Sequence, residues 1–256
     1  MQYPMVEFTA KIAGTAIAVK ALHPETKDVF GDYLTEEQPS IAIESSEERI
    51  LAERQLLKST DADNRLSVDD FTDAEMESNF LYREVAEQLS KHEIVLIHGS
   101  AVAVDGEGYI FVAPSGTGKS THVRLWREVF GNRAVMVNDD KPLLKCTDAG
   151  ITAYGSPWNG KHHLGSNISV PLKAICFLER GKENQIDPID ALKAFLPMLK
   201  AVYNSPEAER EACILQSLQR IRQKTSFYRL WCNMEPDAAA ISYTGMNNNR
   251  LQSPSQ

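Results

Sequence analysis

The stretch Tyr109-Ile-Phe-Val-Ala-Pro-Ser-Gly-Thr-Gly-Lys-Ser-Thr121 governs how the rest of the chain is interpreted. It begins with an apolar run typical of a buried strand, and residues 121–130 after it have the apolar spacing of a helix. Between strand and helix, Gly116 and Gly118 allow the backbone to turn its amide groups toward an anion. The N-terminus of the helix adds its partial positive charge. The pattern predicts a phosphate-binding loop, or P-loop.

The side chains of this loop indicate its ligand. In P-loops a lysine contacts the β- and γ-phosphates and a hydroxyl residue binds magnesium, and Lys119 and Ser120 stand at these positions. Ala113 occupies the first glycine position of the usual pattern, which an alanine can fill when its φ is negative. The sequence therefore predicts ATP and Mg²⁺ as ligands. The predicted ATP-binding residues are Ser115, Gly116, Thr117, Gly118, Lys119, Ser120 and Thr121.

A second motif is Asp139-Asp140, at the end of the apolar strand predicted at 134–137. Because parallel strands end at the same edge of such a sheet, we expect both carboxylates to face the phosphates. One would hold magnesium and the other would accept a proton from an attacking hydroxyl. The residues alone do not decide which aspartate has which role. We take Asp140 with Ser120 as the metal ligands. The alternative is that the pair forms only a turn or a cap.

His98 ends the predicted strand 94–97, directly before Gly99-Ser100. A histidine there is either an acid/base group or a hydrogen-bonded structural residue.

The stretch 158–166 predicts a glycine-flanked loop that closes over a substrate. Its substrate-binding candidates are Asn159, Lys161 and His162, and Arg180 after the strand predicted at 172–178 is a fourth. Lys161 would stabilise the transferred group as a cation. The alternative is a plain solvated loop. The adjacent histidines lack the nearby third ligand that a metal site needs.

Together, His98-Gly99-Ser100, the loop 115–120 and Asp139-Asp140 resemble the HPr kinase/phosphorylase superfamily and its ATP-dependent phosphoenolpyruvate carboxykinase relatives. The resemblance spans roughly residues 94–180 and is strongest to stand-alone HPr kinase-like proteins that bacteria encode apart from the sugar-transport regulator. It implies an α/β P-loop kinase core, kinase activity toward a hydroxyl, magnesium and a cytosolic setting. It also places His98 on the catalytic histidine of that family.

One segment departs from that pattern. Regulator-type HPr kinases carry an Ile-Arg-Gly-Leu-Gly-like segment after the two aspartates, with an acidic residue that helps to hold metal. Here the region reads Tyr154-Gly-Ser-Pro-Trp-Asn-Gly-Lys-His-His-Leu-Gly-Ser166. The resemblance therefore does not extend to dephosphorylation of a phosphoprotein or to HPr as the substrate. A carboxykinase would also be about twice as long.

The order of predicted elements divides the chain into three parts. Residues 1–68 contain a strand pair, a short strand and a helix, which predicts a small N-terminal α+β unit. Residues 69–246 form the predicted P-loop kinase domain, which opens with a helix capped by Thr72 and Glu75. Residues 247–256 are expected to be a disordered tail.

Composition limits the function classes. The 256 residues are 43% hydrophobic, which suits a globular protein with a packed core. A net charge of −8 excludes a general attraction to nucleic acid or to an anionic membrane. The first residues lack the features of a secretory signal, and no apolar run reaches the roughly 18 residues of a membrane helix. We expect a cytoplasmic protein with reduced cysteines; a homo-oligomer is possible.

These observations predict a kinase that transfers the γ-phosphoryl group of ATP to a hydroxyl of a small metabolite, a serine-like amino acid or a peptide. The predicted catalytic residues are His98, Lys119, Asp139 and Asp140. Two alternatives stay open. One is an ATP-binding regulatory protein with little catalysis, and the other is a carboxykinase-like enzyme.

Overall fold

The computed structural model describes residues 5–60, 68–160 and 162–248, without the side chains of residues 60 and 69. Lys161 and residues 249–256 of the expected tail lie outside the described residues. The chain folds as two compact units, Met1–His92 and Glu93–Gln256. Within the described ranges, every helix is too short or too polar to cross a lipid bilayer.

Within its described residues, the N-terminal unit combines a three-stranded sheet with three α-helices. Strand β1 (Val6–Ile12) pairs antiparallel with β2 (Thr15–Ala21), and β2 pairs parallel with β3 (Ile41–Glu44). A turn at Ala13 and Gly14, both with positive φ, joins the first two strands. In chain order the elements are β1 (Val6–Ile12), β2 (Thr15–Ala21), α1 (Pro24–Phe30), β3 (Ile41–Glu44), α2 (Glu47–Thr60) and α3 (Asp73–Ser90).

Helix α3 begins as the sequence predicts, because Thr72 and Glu75 form a reciprocal capping box. The helix belongs to the N-terminal unit, however, where it packs against α1, α2 and β3. The division therefore lies at residues 92–93, whereas we expected it at 68–69. The physical reason is the buried face of α3, which includes Met76 and Leu81 and joins the core of the first unit.

A buried carboxylate fixes α3 to the start of α1. Glu77 is 0% exposed, and its Oε1 accepts a hydrogen bond from the Leu22 amide at 2.6 Å. Its Oε2 accepts from the His23 amide at 3.0 Å and from Thr26 Oγ1 at 2.6 Å. Because α1 has no side-chain N-cap, these bonds satisfy donors around its first turn.

In the part that the structure describes, the second unit contains a nine-stranded mixed sheet and four α-helices. Its strands are β4 (Ile94–Leu96), β5 (Ser100–Val104), β6 (Glu107–Val112), β7 (Ala134–Asn138), β8 (Leu143–Thr147), β9 (Gly150–Tyr154), β10 (Ser169–Arg180), β11 (Gln185–Pro188) and β12 (Ser226–Cys232). Its helices are α4 (Lys119–Phe130), α5 (Ala191–Ala201), α6 (Ala208–Lys224) and α7 (Asp237–Asn248). The mixed α/β class predicted from the sequence is confirmed.

The long strand β10 joins the two parts of this sheet. Its first residues pair antiparallel with β9, which continues through β8 to β4. Farther along, β10 pairs parallel with β6 on one side and with β12 on the other. Strand β5 lies between β6 and β7 and is antiparallel to both. Strands β6 and β7 therefore run in the same direction although they are not neighbours.

Helices cover both faces of the sheet, and the strands alternate between two cores. Along β6, Ile110 and Val112 pack in a cluster that includes residues of α5 and α6, while Tyr109 and Phe111 pack with residues of α4 and α7. A strand buried on both faces has a continuous apolar sequence, which explains the run before the glycine-rich loop.

We expect Glu77→Ala to lower the free energy of unfolding of the N-terminal unit by about 3 kcal/mol, because it leaves three buried or half-buried donors without their acceptor. Urea denaturation followed by circular dichroism measures the loss, and amide exchange at Leu22 and His23 should accelerate. The matched control is Glu84→Ala on the same helix, whose ion pair with Arg49 at 3.8 Å is worth at most about 1 kcal/mol. Equal losses in the two variants would contradict this role of Glu77.

Candidate functional site

The glycine-rich loop of residues 113–118 connects the end of β6 to the start of α4. Gly116 has φ 76° and Gly118 has φ 123°, values that side-chain-bearing residues rarely adopt. The first backbone amides of α4 have no acceptor within the helix, which makes this end suited to an anion. The strand–loop–helix arrangement predicted from the sequence is therefore present.

The Lys119 side chain lies along this loop and is only 9% exposed. Its Nζ donates a hydrogen bond to the Ala113 carbonyl at 2.7 Å and lies 3.3 Å from His98 Nε2. Burial lowers the pKa of Lys119 from its ordinary value, and the charge of Asp140 acts in the opposite direction. The ammonium group is held where the loop, the histidine and the second aspartate meet.

The sheet brings Asp139 and Asp140 to the same edge as the loop. They follow β7, which runs in the same direction as β6, and β5 starts at this edge with Ser100. Ser100 Oγ donates to the Asp139 carbonyl at 2.9 Å, and the Gly99 amide donates to the Asp140 carbonyl at 3.1 Å. The expected convergence of these residues is present, with an antiparallel strand between the two parallel ones.

Asp140 lies between two basic side chains. Its Oδ1 is 3.1 Å from His98 Nδ1, and its Oδ2 accepts from Lys141 Nζ at 2.5 Å. Burial by itself raises the pKa of Asp140, but the hydrogen bonds and charges of His98 and Lys141 outweigh it and hold the pKa well below its usual range. Lys119, His98 and Asp140 thus form one continuous chain of polar contacts.

Asp139 points to a different place. It is 6% exposed, and its Oδ1 accepts from the Gly160 amide at 2.6 Å. The carboxylate and Ser120 line one cavity of about 400 Å³ beside the first turns of α4, together with Thr121 and His162. The sequence predicts Asp140 with Ser120 as the metal ligands. In the structure it is Asp139 that shares a cavity with Ser120, because the side chain of Asp140 turns toward His98; metal binding by either aspartate stays a prediction.

Asn138, the last residue of β7, organises both aspartates and the following loop. It is fully buried, and its Oδ1 accepts from the amides of Asp140 and Lys141 at 2.8 and 2.6 Å. Its Nδ2 lies 3.1–3.2 Å from oxygens of Ser156, the Trp158 carbonyl and Asn159 Oδ1. This side chain fixes the turn that presents the two carboxylates.

The loop predicted to close over a substrate is held at both ends. Trp158 is only 5% exposed at one end. At the other end Gly165 bridges to Asn138 and the Ser166 amide donates to the Val137 carbonyl at 3.2 Å. The ends of this loop are therefore part of the packed structure.

Three of the four substrate-binding candidates lie within the described residues, and they occupy different positions. Arg180, at the end of β10, donates from Nη2 to the Gly116 carbonyl at 2.6 Å and thus reaches the glycine-rich loop. His162 lines the cavity of Ser120 and Asp139. Asn159 contacts Asn138 through its Oδ1, which is a role inside the loop. Lys161 lies outside the described residues, so its predicted role stays a prediction.

Sequence reasoning missed two residues of this site. Asn138 precedes the aspartates, and asparagine at such a position commonly bonds to amides two residues farther on. Lys141 directly follows them, so the sequence itself shows that a basic side chain lies next to Asp140. Neither residue belongs to the motif that drew attention to the pair.

A buried histidine packs the helix of the loop against the last helix. His122 is 2% exposed, and its Nε2 accepts from Trp126 Nε1 at 3.1 Å and lies 3.2 Å from Ser242 Oγ on α7. Its ring contacts Phe111 edge-on at 4.6 Å. Burial lowers the pKa of His122 to about 3, so the ring is neutral at physiological pH. This contact was not predicted either.

The fold and the site together define a mixed α/β protein whose glycine-rich strand–loop–helix presents a lysine to a histidine and an aspartate. A family model described as "SynChlorMet cassette protein ScmC" matches residues 67–237, which is most of the chain. The chain belongs to the ScmC family. That description names no activity.

The other comparisons add little. No curated protein matches the sequence. A solved structure, the Hpr(Ser) kinase/phosphatase from Coxiella burnetii, aligns over 61% of this chain and 96% of its own with 10% sequence identity and a TM-score of 0.37. A likeness this low supports no conclusion about the activity of this chain.

The buried His122 predicts an acid-sensitive fold for the second unit. An unfolded histidine binds a proton below about pH 6.5, whereas His122 in the fold resists protonation down to about 3. Stability from this group is therefore complete above pH 6.5 and falls as the pH decreases, by about 2 kcal/mol between pH 7 and pH 5.

We expect His122→Gln to remove the loss of stability between pH 7 and pH 5 that the protonation of this histidine in the unfolded chain causes. Tryptophan fluorescence during urea denaturation at pH 7 and pH 5 measures it, since Trp126, Trp158 and Trp231 all lie in the second unit. The exposed His92→Gln variant is the control and should keep the wild-type decline. An unaltered pH dependence in His122→Gln would refute the assignment.

Proposed function

We propose that this protein is a kinase of the HPr kinase-like type, with a P-loop core, that transfers the γ-phosphoryl group of ATP to a hydroxyl group. The observation that carries the proposal is the chain of contacts from Lys119 Nζ to His98 Nε2 at 3.3 Å and from His98 Nδ1 to Asp140 at 3.1 Å. It joins a phosphate-binding cation to an acid/base pair at one point of the glycine-rich loop.

Phosphoryl transfer requires mainly positioning and neutralisation of charge. The backbone amides of residues 115–121 would bind the phosphates, and Lys119 would neutralise the β- and γ-oxygens. Arg180, which contacts the Gly116 carbonyl, adds a second cation at the loop. These groups supply local positive charge at the loop, although the net charge of the chain is −8.

His98 and Asp140 suit proton transfer from the acceptor. His98 would donate its Nδ1–H to Asp140, which leaves Nε2 as the acceptor of a proton. When Lys119 turns from His98 to the phosphates, Nε2 becomes accessible to the hydroxyl of the acceptor. The acceptor oxygen forms a bond to the γ-phosphorus while the bond to the β,γ-bridging oxygen breaks. The electron pair of that bond stays on the departing ADP, and the hydroxyl proton passes to Nε2. Asp140 stabilises the imidazolium that results.

Ser120 and Asp139 are the proposed magnesium ligands. Both supply the oxygen donors that Mg²⁺ prefers, and they line one cavity. Mg²⁺ needs few protein ligands when phosphate oxygens complete its shell, which fits the absence of a cluster of three or more His, Cys, Asp or Glu among the described residues. When bound, the ion would neutralise charge that develops on the phosphate oxygens.

The first test concerns the loop lysine. We expect Lys119→Ala to weaken MgATP binding or turnover by about 100-fold or more, because two or more charge-assisted hydrogen bonds to phosphate are lost. Calorimetric titration with MgATP and turnover of γ-labelled ATP measure the effect, and circular dichroism verifies folding. The exposed Lys182→Ala is the matched control. Normal turnover in a folded Lys119→Ala protein would rule out the P-loop assignment.

A second test separates the two aspartates. We expect Asp139→Asn and Asp140→Asn each to reduce phosphoryl transfer about 100-fold, the scale of losing an acid/base or metal contact. Asp139→Asn should also raise the magnesium concentration that half-saturates activity, whereas Asp140→Asn should change the pH profile and leave that concentration unaltered. The exposed Asp148→Asn serves as control. If Asp140→Asn alone shifted the magnesium requirement, our assignment of the metal would be reversed.

A further inference from the structure

A second cavity of about 520 Å³ lies beside the start of the glycine-rich loop. It is lined by Ala113 and Pro114 at the start of the loop, whereas the cavity of Ser120 lies at the loop's end. His98 also lines it, and the Lys119 ammonium contacts both His98 and the Ala113 carbonyl. The lysine tip therefore lies on the side of this larger cavity.

That position assigns the two cavities to different parts of the reaction. A P-loop lysine contacts the β- and γ-phosphates, so the γ-phosphate end of a bound nucleotide would face the larger cavity. The smaller cavity, which Ser120 and Asp139 line together with Thr121 and Arg124, would hold the proposed magnesium ion beside the β- and γ-phosphates and, beyond it, the nucleoside. A molecule in the larger cavity would meet the γ-phosphorus and His98 together.

The walls of this cavity are mostly apolar. Phe177 and Leu178 of β10 are at most 8% exposed, and Val112 is 6% exposed. Leu196 of α5 also lines the cavity, although 59% of it is exposed. A large apolar side chain that stays this exposed beside a cavity is suited to cover an apolar ligand. Free serine has no apolar body that would use these walls.

Two cationic side chains line the cavity, and they differ in whether an acidic group pairs with them. Arg229 is 3.2 Å from Glu179, so its charge is compensated. Lys200 is exposed and has no acidic partner among the residues that the structure describes. It lies in the last turn of α5, and the carbonyl of the next residue, Ala201, accepts from the His98 amide at 2.7 Å. Backbone pairing therefore holds Lys200 close to His98.

We propose that this cavity binds the phosphoryl acceptor, and that the acceptor is an alcohol with an apolar body and a carboxylate that pairs with Lys200. The inference rests on the proposed kinase function and specifies its substrate class. The hydroxyl lies at His98, the apolar body contacts Phe177 and Leu196, and the carboxylate faces Lys200. The transfer step itself is the one described above.

Equilibrium binding of matched serine probes tests the chemistry of the cavity independently of catalysis. N-Hexanoyl-L-serine supplies all three features, its methyl ester lacks the carboxylate, and N-acetyl-L-serine lacks most of the apolar body. We expect calorimetric titration to show at least tenfold tighter binding of the hexanoyl than of the acetyl compound. The acid should bind about fivefold tighter than the ester, as for a partly exposed ion pair. MgADP should not displace the acid.

Lys200→Met should remove the preference for the acid over the ester, and Lys193→Met, an exposed lysine on the same helix, should keep it. Any one of three results would overturn the proposal. The wild-type protein could bind acid and ester equally, the two variants could change the preference for the acid to the same extent, or MgADP could displace the acid. Transfer from γ-labelled ATP is measured separately. Acid-selective binding without transfer would contradict the kinase function alone. Equal transfer to the acid, its ester and free serine would contradict the acceptor class alone.

Discussion

The buried side chain of Asn138 is the constraint on which the rest of the site depends. It ends a strand at the sheet edge and satisfies the amides of Asp140 and Lys141, which would otherwise lack acceptors in a half-buried turn. The same side chain binds the Trp158 carbonyl and so anchors the following loop. The Asp139 carboxylate accepts a hydrogen bond from the Gly160 amide of that loop. One amide side chain thereby sets the directions of two carboxylates and the path of the segment that passes over them.

Most strands and helices of the second unit follow from the sequence, because each has a continuous apolar run or a clear apolar spacing. The strand Gln185–Pro188 does not, since Ile186 is its only large apolar residue and its single neighbour is β12. The unit boundary was also missed. The spacing of residues in α3 shows that the helix has a buried face, but it does not show which core receives that face. Residues far away in the chain determine the core into which α3 packs.

Local patterns also predicted which residues meet at the site, but not how they pair. The loop lysine, His98 and the two aspartates converge as expected at one edge of the sheet. Their pairing depends on the direction in which each side chain leaves the turn after β7, and this direction is set by Asn138 and Lys141. Asn159 shows the opposite case. A polar residue in the glycine-flanked loop 158–166 predicts a ligand contact, and the structure adds a structural role, since its amide oxygen completes the hydrogen bonds of Asn138. The position of α5 beside the cavity of His98 depends on tertiary structure, which no local sequence pattern predicts.

The contact between His122 and Ser242 has a consequence for how the chain matures during synthesis. Helix α4 directly follows the glycine-rich loop, and its apolar face is completed by α7, more than a hundred residues later in the chain. While the ribosome is still adding the intervening strands and helices, Trp126 and the His122 ring have no native partner on that side. A nascent chain can therefore form the glycine-rich loop early, yet its helix gains its native packing only after α7 emerges. Translation must proceed almost to the end of the described chain before the helix that carries the loop is held in place.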